Sequence, residues 1–423
     1  MNYRKYYIFL THCVCDIGGM QLYTSRKIEY LKSQGWTPLV FFYRSGDIEI
    51  DNLKIYSQNH IQDLRFCVGN VSESARKKVL KQIGKFVNDA QDVIVESCCL
   101  ALGTWGEYIA SNFQGKHILY IIDEIISQPT PKMYEFLEFK ANQKLLYCIK
   151  QKVLADVFKN KFNLDEFVLR AAGASSNNIS DSFNPIVSEI PDGIPTILSL
   201  GRLDKPYIGY LFDSIVRFVN SNPERKFNFV IVGDTPIHGA KQGLLSKFEN
   251  IENVNIFDLG FLWPIPRQLF SKVNVALGSA GSIMLCNRQG VPSIAIDVND
   301  YEAIGVYGQN TSNTLFRDEN DPVETIIDWL NLILIENKII RREPEIEQSI
   351  DYSAHQRIID MKMDRIYFPT DKSARFVSHP FLRSAIIRFD QSAWGHRIIQ
   401  KLWRTKWFNN AVNKVNRNGY SKQ

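Results

Sequence analysis

Continuous apolar runs, rather than alternating ones, set the rhythm of this chain. Tyr6 to Thr11 is apolar and aromatic without interruption, the pattern of a parallel strand covered on both faces. Met20 to Ser33 then places Leu22, Ile28, Tyr30 and Leu31 along a helix, and Gly35 supplies its stop. Thr37 to Tyr43 is a second apolar run, so the chain opens on a βαβ unit. Further strands are predicted at Asp92 to Glu96, His117 to Ile122, Lys144 to Ile149 and Phe167 to Ala171, with helical patterns between them. Strands alternating with helices predict a parallel sheet covered on both faces.

Asn184 to Pro195 interrupts this rhythm with the Pro, Gly and Asp content of a linker. A second series then begins. Its strands are predicted at Thr196 to Leu200, Phe227 to Val232, Val254 to Asp258, Val273 to Leu277 and Ser293 to Asp297. Helices are expected from about Tyr210 to Asn220 and from about Pro322 to Asn337. The pattern restarts from a fresh first strand. The expected architecture is therefore α/β, with two Rossmann-like, doubly wound parallel-sheet domains facing each other across a cleft. The boundaries fall at residues 1–190 and 191–337, followed by a helical, basic C-terminal extension over 338–423.

Composition narrows the function classes. A length of 423 residues suits two domains and an appendage, and 45% hydrophobic with 22% charged residues is globular. A net charge of +5 is too small for a global nucleic-acid binder, so no nucleic-acid partner is expected. The seven cysteines are odd in number and hold no CxxC pair. They read as reduced, cytoplasmic thiols packed as small hydrophobes, with no metal site. No signal peptide is read, and no run reaches the roughly 18 apolar residues of a membrane span. The charge is unevenly spread, however. Residues 381–423 carry Arg383, Arg388, Arg397, Lys401, Arg404, Lys406, Lys414, Arg417 and Lys422 against the single acid Asp390. Trp394, Trp403 and Trp407 are interleaved with them. Such a tail suits an anionic membrane surface, and it equally suits a helix packed back on the first domain.

Several predicted strand ends carry residues that can hold an anion or a sugar. THCVCDIGGMQLY follows the first strand, where Gly18 and Gly19 let backbone amides approach a ligand at a helix N-terminus. A tight βα turn uses the same residues, and the spacing is not that of a dinucleotide fingerprint. His12, beside this loop, can donate to a sugar or phosphate or serve as an internal hydrogen-bond partner. In LSLGRLDK, Gly201 ends a strand and Arg202 and Lys205 follow at once, where two cations can neutralise a diphosphate. Asp234 lies in the sharp turn VGDTP. Ser279, Gly281 and Ser282 form a small-residue loop that feeds a helix, the pattern of a phosphate cradle. Glu96, Asp123 and Glu124 close two first-domain strands, where an acid can serve as a base or cap a helix.

In this order the motifs resemble those of GT-B glycosyltransferases of the "glycosyl transferases group 1" kind, which assemble bacterial polysaccharides and glycolipids. GGMQ is similar to the family's GG-loop, LSLGRLDK to its G-R-L…K motif, IVGDTP to its VGDGP turn, and GVPSIAID to its GxPVIA ending. LGFLWPIPRQLFSKVNVAL resembles the stretch that runs from a Gly-hydrophobic turn through a helix to the next strand. The resemblance spans roughly residues 5–335. It implies that Arg202 and Lys205 hold the donor diphosphate and that the helix at Gly281 and Ser282 binds the distal phosphate. It implies further that Phe261 and Leu262 flank the base and that the Gly18–Gly19 loop closes over the donor. Fixed cations and amides then stand where a metal would, and the nucleotide-sugar is the substrate with no separate cofactor. The family typically retains anomeric configuration.

Two departures matter. The positions of the family's E-x7-E glutamates are Leu277 and Leu285 here, and its lysine position holds Tyr207. Asp300 or Glu302 is the expected stand-in on the ribose. The resemblance implies a cytoplasmic enzyme that passes sugar from a nucleotide-sugar to a saccharide or lipid-linked acceptor, with the 381–423 tail resting on the inner membrane face. Two other readings stand beside it: a catalytically degenerate paralogue that binds a partner transferase, and a nucleotide-sugar epimerase of similar fold.

Overall fold

The computed structural model describes residues 4–15, 18–87, 89–122, 126, 129–158, 161–169, 179–235, 237, 239–345, 350–370 and 376. The chain forms two compact units. Unit 1 comprises Met1–Ile17, Thr24–Ala171 and Asp351–Gln423, and unit 2 comprises Gly18–Tyr23 and Ala172–Ile350.

Unit 1 runs β1 (Lys5–Cys13), α1 (Gly19–Ser33, whose residues up to Tyr23 count with unit 2), β2 (Trp36–Arg44), α2 (Asp51–Lys54), α3 (Glu73–Val87), β3 (Asp92–Ser97), α4 (Leu100–Phe113), β4 (Lys116–Ile121), α5 (Pro131–Asn142), β5 (Leu146–Cys148) and α6 (Lys152–Phe158). The sheet order is β2-β1-β3-β4-β5, all parallel. Tyr7, Ile8, Phe9 and Leu10 are fully buried, as an uninterrupted apolar run in a doubly covered strand requires. Helix α4 carries Gly106 because a Cβ there would lie 2.3 Å from both His117 Nε2 and Ser97 Oγ. Helix α5 begins where the Thr130 side chain accepts from the Met133 amide and Pro131 takes the first position.

One predicted strand fails. Leu164–Phe167 is a 3-10 turn, and Val168 makes a single bridge to Cys148. The Asn163 side chain accepts from the Asp165 amide and so favours a turn over an extended start. Residues 170–171 of that expected strand lie outside the described residues.

Unit 2 runs β6 (Ile179–Ser180), α7 (Pro185–Ser188), β7 (Thr196–Leu200), α8 (Ile208–Asn220), β8 (Phe227–Val232), α9 (Ala240–Leu245), β9 (Val254–Asp258), β10 (Ile265–Pro266), α10 (Arg267–Lys272), β11 (Val275–Gly278), α11 (Gly281–Arg288), β12 (Ser293–Ile296), β13 (Ala303–Val306) and α12 (Ile326–Leu334). The order of the main sheet is β13-β12-β11-β7-β8-β9, while β6 pairs with β10 apart from it. The expectation of a purely parallel sheet is corrected at its edge, where β13 runs antiparallel to β12. The four residues of AIGV gave no strand signal of their own. One face of the sheet is covered by α8 and α12 through Leu211, Phe212, Ile215, Trp329 and Leu330. The other packs Leu269, Phe270, Leu285 and Cys286 against Leu198 and Val230. Helix α12 starts later than predicted because Thr325 and Asp328 form a reciprocal capping box.

The described part of 338–423 divides. Arg341 donates to the carbonyls of Phe270 and Gln289 in unit 2. Helix α13 (Ser353–Asp360) and the segment after it pack in unit 1. Tyr352 stacks on Tyr30 with ring centroids 4.0 Å apart, and Lys116 Nζ donates to the carbonyls of Ile358 and Ile359 at 2.9 and 2.6 Å. The basic, Trp-bearing tail at 381–423 lies outside the described residues. No described helix is long and apolar enough to cross a membrane.

Candidate functional site

A parallel sheet opens a crevice where two neighbouring strands send their connections to opposite faces. In unit 2 that point lies between β7 and β11, the two strands paired from Val275↔Ile197 to Leu277↔Ser199. The loops beyond them hold the candidate residues Gly201, Arg202, Lys205, Ser279, Gly281 and Ser282.

The geometry there is specific. Ser279 is buried, and its hydroxyl is 3.0 Å from the Tyr207 hydroxyl and 3.5 Å from Lys205 Nζ. Ala280 takes the unusual backbone φ of 53°, and α11 starts at the next residue. The first amides of α11 have no carbonyl partner within the helix, and the helix dipole adds partial positive charge there. Arg202 is exposed, with its Nε 3.5 Å from Asp204. A cation, a half-buried ammonium, a hydroxyl and a helix N-terminus therefore gather at one sheet edge. That set can accept a phosphate's negative charge.

Glycines let the loops approach. Gly201 has φ of 138°, and a Cβ on it would stand 3.4 Å from Ser282 Oγ. Gly233, at φ 144°, passes so close that a Cβ would lie 1.9 Å from the Gly201 carbonyl oxygen. The loops after β7 and β8 are thus stacked by glycines, and α11 begins beside them.

The remaining predicted residues fall less neatly. Asp234 accepts from the Thr235 amide at 2.8 Å and lies 3.7 Å from Lys241 Nζ, which also reaches Asp258 at 2.7 Å. Phe261 is 45% exposed, whereas Leu262 packs on the unit 2 core. Glu302 accepts from the Tyr210 hydroxyl, and Asp300 lies 3.7 Å from Arg317. Leu277 and Leu285, at the two glutamate positions, are both core residues. A carboxylate at either position would be buried in hydrocarbon. Sequence reasoning noted Tyr207 only as the residue at the family's lysine position and gave its side chain no role. Tyr207 is 3% exposed, and its hydroxyl takes up Ser279. No periodic signal marks it, because its role is set by a loop from a distant strand.

In unit 1 the corresponding crevice lies between β1 and β3. Half-buried His12 sits at the end of β1, and the Cys98 amide donates to the Leu10 carbonyl at 3.3 Å. Gly18 precedes α1 and Gly19 is its first residue; no atom would crowd a Cβ on Gly19 within 4 Å, so sterics do not require that glycine. Asp123 and Glu124 lie outside the described residues. Glu96 is not an available base. It is buried and accepts from Tyr7 Oη and Lys27 Nζ, each at 2.5 Å. Burial alone would raise its carboxyl, but the Lys27 ammonium and the two hydrogen bonds outweigh it and hold the group below the usual value.

No protein-family model matches the chain, and no curated protein matches it. Solved structures do. A glycosyltransferase from Rickettsia africae aligns at a TM-score of 0.56 and 16% identity, covering 78% of this chain and 88% of its own. HepE from Anabaena, solved with UDP-glucose, aligns at a TM-score of 0.51 and 13% identity, covering 79% and 90%. Its structure with UDP and glucose aligns at 0.50 and 13% identity. The chain thus has the fold of the GT-B glycosyltransferases, α/β with two Rossmann-like units.

Proposed function

We propose that this chain is a glycosyltransferase that takes a nucleotide-sugar donor on unit 2. The observation that carries the reading is the cluster of Lys205, Tyr207 and Ser279 beside the start of α11, with Arg202 on the adjoining loop. Bond cleavage at the sugar leaves its electron pair on the diphosphate. Arg202, Lys205 and the α11 amides stabilise that developing charge from fixed positions, without a metal at the diphosphate. Phe261 offers its exposed ring to the base. Unit 1 takes the acceptor, a saccharide or lipid-linked saccharide of polysaccharide assembly, and anomeric configuration is retained. The basic 381–423 tail holds the enzyme to the inner face of the cell membrane.

Release of nucleoside diphosphate from a panel of nucleotide-sugars, with membranes as the acceptor source, tests this. Arg202→Ala and Lys205→Ala are each expected to lower turnover by roughly 100-fold or more, as loss of a fixed charge-stabilising donor does. Wild-type turnover in both variants would sink the reading. One observation favours a second reading, a degenerate paralogue: Leu277 and Leu285 are core residues where the resembling family has glutamates. Nucleotide binding without turnover of any donor would favour that reading. Interconversion of the sugar without an acceptor would indicate an epimerase.

A further inference from the structure

Unit 1 gathers a second set of reactive side chains that the transferase reading leaves unused. β1 and β3 are parallel neighbours whose pairing ends at Leu10↔Ser97. Just beyond that point, His12 rises from one strand end and Cys98 and Cys99 from the other. Consecutive side chains of an extended strand point to opposite faces, which would separate adjacent thiols. Here the chain bends at residues 98–99, and Cys99 becomes the N-cap of the 14-residue helix α4 with φ −152° and ψ 172°. The bend turns both sulfurs toward His12. The imidazole nitrogen and the two Sγ atoms all lie within 4.8 Å of one another.

We propose that His12, Cys98 and Cys99 bind one zinc ion through an imidazole nitrogen and two thiolates, with water as the fourth ligand. The chemistry of the set selects the metal. Two sulfurs and an imidazole are the ligands of zinc and other thiophilic ions, whereas magnesium and calcium need oxygen. Tetrahedral bonds to zinc place ligand atoms roughly 3.3–3.8 Å apart, so the observed spacing needs a contraction of at most about 1.0–1.5 Å. Three protein ligands and one open position make a site that admits solvent, consistent with half-buried His12. Each thiol loses its proton as the ion binds. The site lies wholly in unit 1 and does not depend on the donor reading for unit 2. It also reverses the expectation, drawn from the lack of a CxxC pair, that the chain holds no metal site. The ligands come from two strands and a bend, which no linear spacing rule detects.

Cobalt(II) titration of the reduced, metal-stripped full chain tests the proposal. Wild type is expected to take up a single equivalent with an intense thiolate-to-cobalt charge-transfer band and tetrahedral d–d bands, and zinc is expected to displace both. Cys98→Ser and Cys99→Ser should each lose at least half of the charge-transfer intensity. His12→Ala should keep a thiolate band but bind cobalt at least about tenfold more weakly, since loss of even an outer partner costs that much. Cys286→Ser, in unit 2, should titrate as wild type. Absence of a charge-transfer band in the wild-type chain would overturn the proposal, and that result needs no variant to fold. A band undiminished in both Cys98→Ser and Cys99→Ser would overturn it equally.

Discussion

Unit 1 buries Lys27, Arg76, Glu96, Glu107, His117, Lys140 and His355, whereas Asp297 is the only buried Lys, Arg, Asp, Glu or His among the described residues of unit 2. Two internal networks account for much of this. Lys27 and Tyr7 meet Glu96, while Lys140 and His117 meet Glu107 at 3.0 and 2.8 Å. Glu107 Oε1 also accepts the Phe368 amide at 2.9 Å, which ties the chain's later segment to the unit 1 core. In unit 2, Asp297 is satisfied by the amides of Asn299 and Arg317 at 2.7 and 2.6 Å, and the other buried polar side chains among the described residues are uncharged, as where Asn228 donates to the Thr196 hydroxyl at 3.1 Å. The contrast separates two uses of charge. Unit 1 spends much of it inside, on positioning its helices and late segment. Unit 2 keeps Arg202 and Lys205 at the sheet edge, where a ligand can meet them.

The largest effect should come from breaking a unit 1 network. Glu107→Ala leaves Lys140 buried without its carboxylate and should destabilise unit 1 by about 3–5 kcal/mol. Hydrogen exchange of β3 and β4 against denaturant would show it, and a loss below about 1 kcal/mol would remove the contrast. Leu285→Glu tests the opposite core. An unpaired carboxylate there should cost on the order of 3 kcal/mol and bring no gain in nucleotide affinity. Tighter nucleotide binding in that variant would mean that the position faces the ligand after all. Gly233→Ala should cost about 1–3 kcal/mol through its φ of 144° and its contact with the Gly201 carbonyl, and it should weaken nucleotide binding as the Gly201 loop shifts.

The smallest effect is one of pH. Burial lowers the His117 imidazole from 6.5 to about 4, aided by Lys140. The fold thus favours neutral His117, which donates from Nδ1 to Glu107. Its contribution is present above the unfolded value of 6.5 and is lost as pH falls toward 4. Glu107 is held at about 2 because Lys140 and its hydrogen bonds outweigh the effect of burial, so its own contribution disappears only below its ordinary 4.5. Between pH 7 and 6, unit 1 should lose less than about 1 kcal/mol from His117, and His117→Asn should flatten that slope. An unchanged slope would show that the ring takes up its proton equally in the folded and unfolded states, contrary to this account.

Much of the architecture was legible in the sequence because buried parallel strands are written as unbroken apolar runs. β1, β2, β3, β4, β7, β8, β11 and β12 announced themselves this way, whereas β9, VNIFD, has no buried residue. Phe167 misled because an apolar residue in a capped turn looks like the start of a strand. β13 escaped because an edge strand of four residues has too little pattern. The Gly201, Arg202 and Lys205 loop was legible because it follows a strong strand. The Tyr207–Ser279 contact and the His12, Cys98 and Cys99 cluster were not, since each joins loops far apart in sequence. Glu96 was misread for a related reason: a strand-end acid looks available until its Lys27 partner, 69 residues away, is placed.

Calorimetric titration of the purified chain with UDP, GDP, CMP and ADP, repeated with Arg202→Ala and Lys205→Ala, tests the central claim most directly. The account predicts saturable binding of one nucleoside diphosphate, weakened at least about tenfold in each variant as a charge-assisted phosphate contact is lost, with the fold intact. Binding that is indifferent to both substitutions, or no binding of any nucleotide, would contradict it.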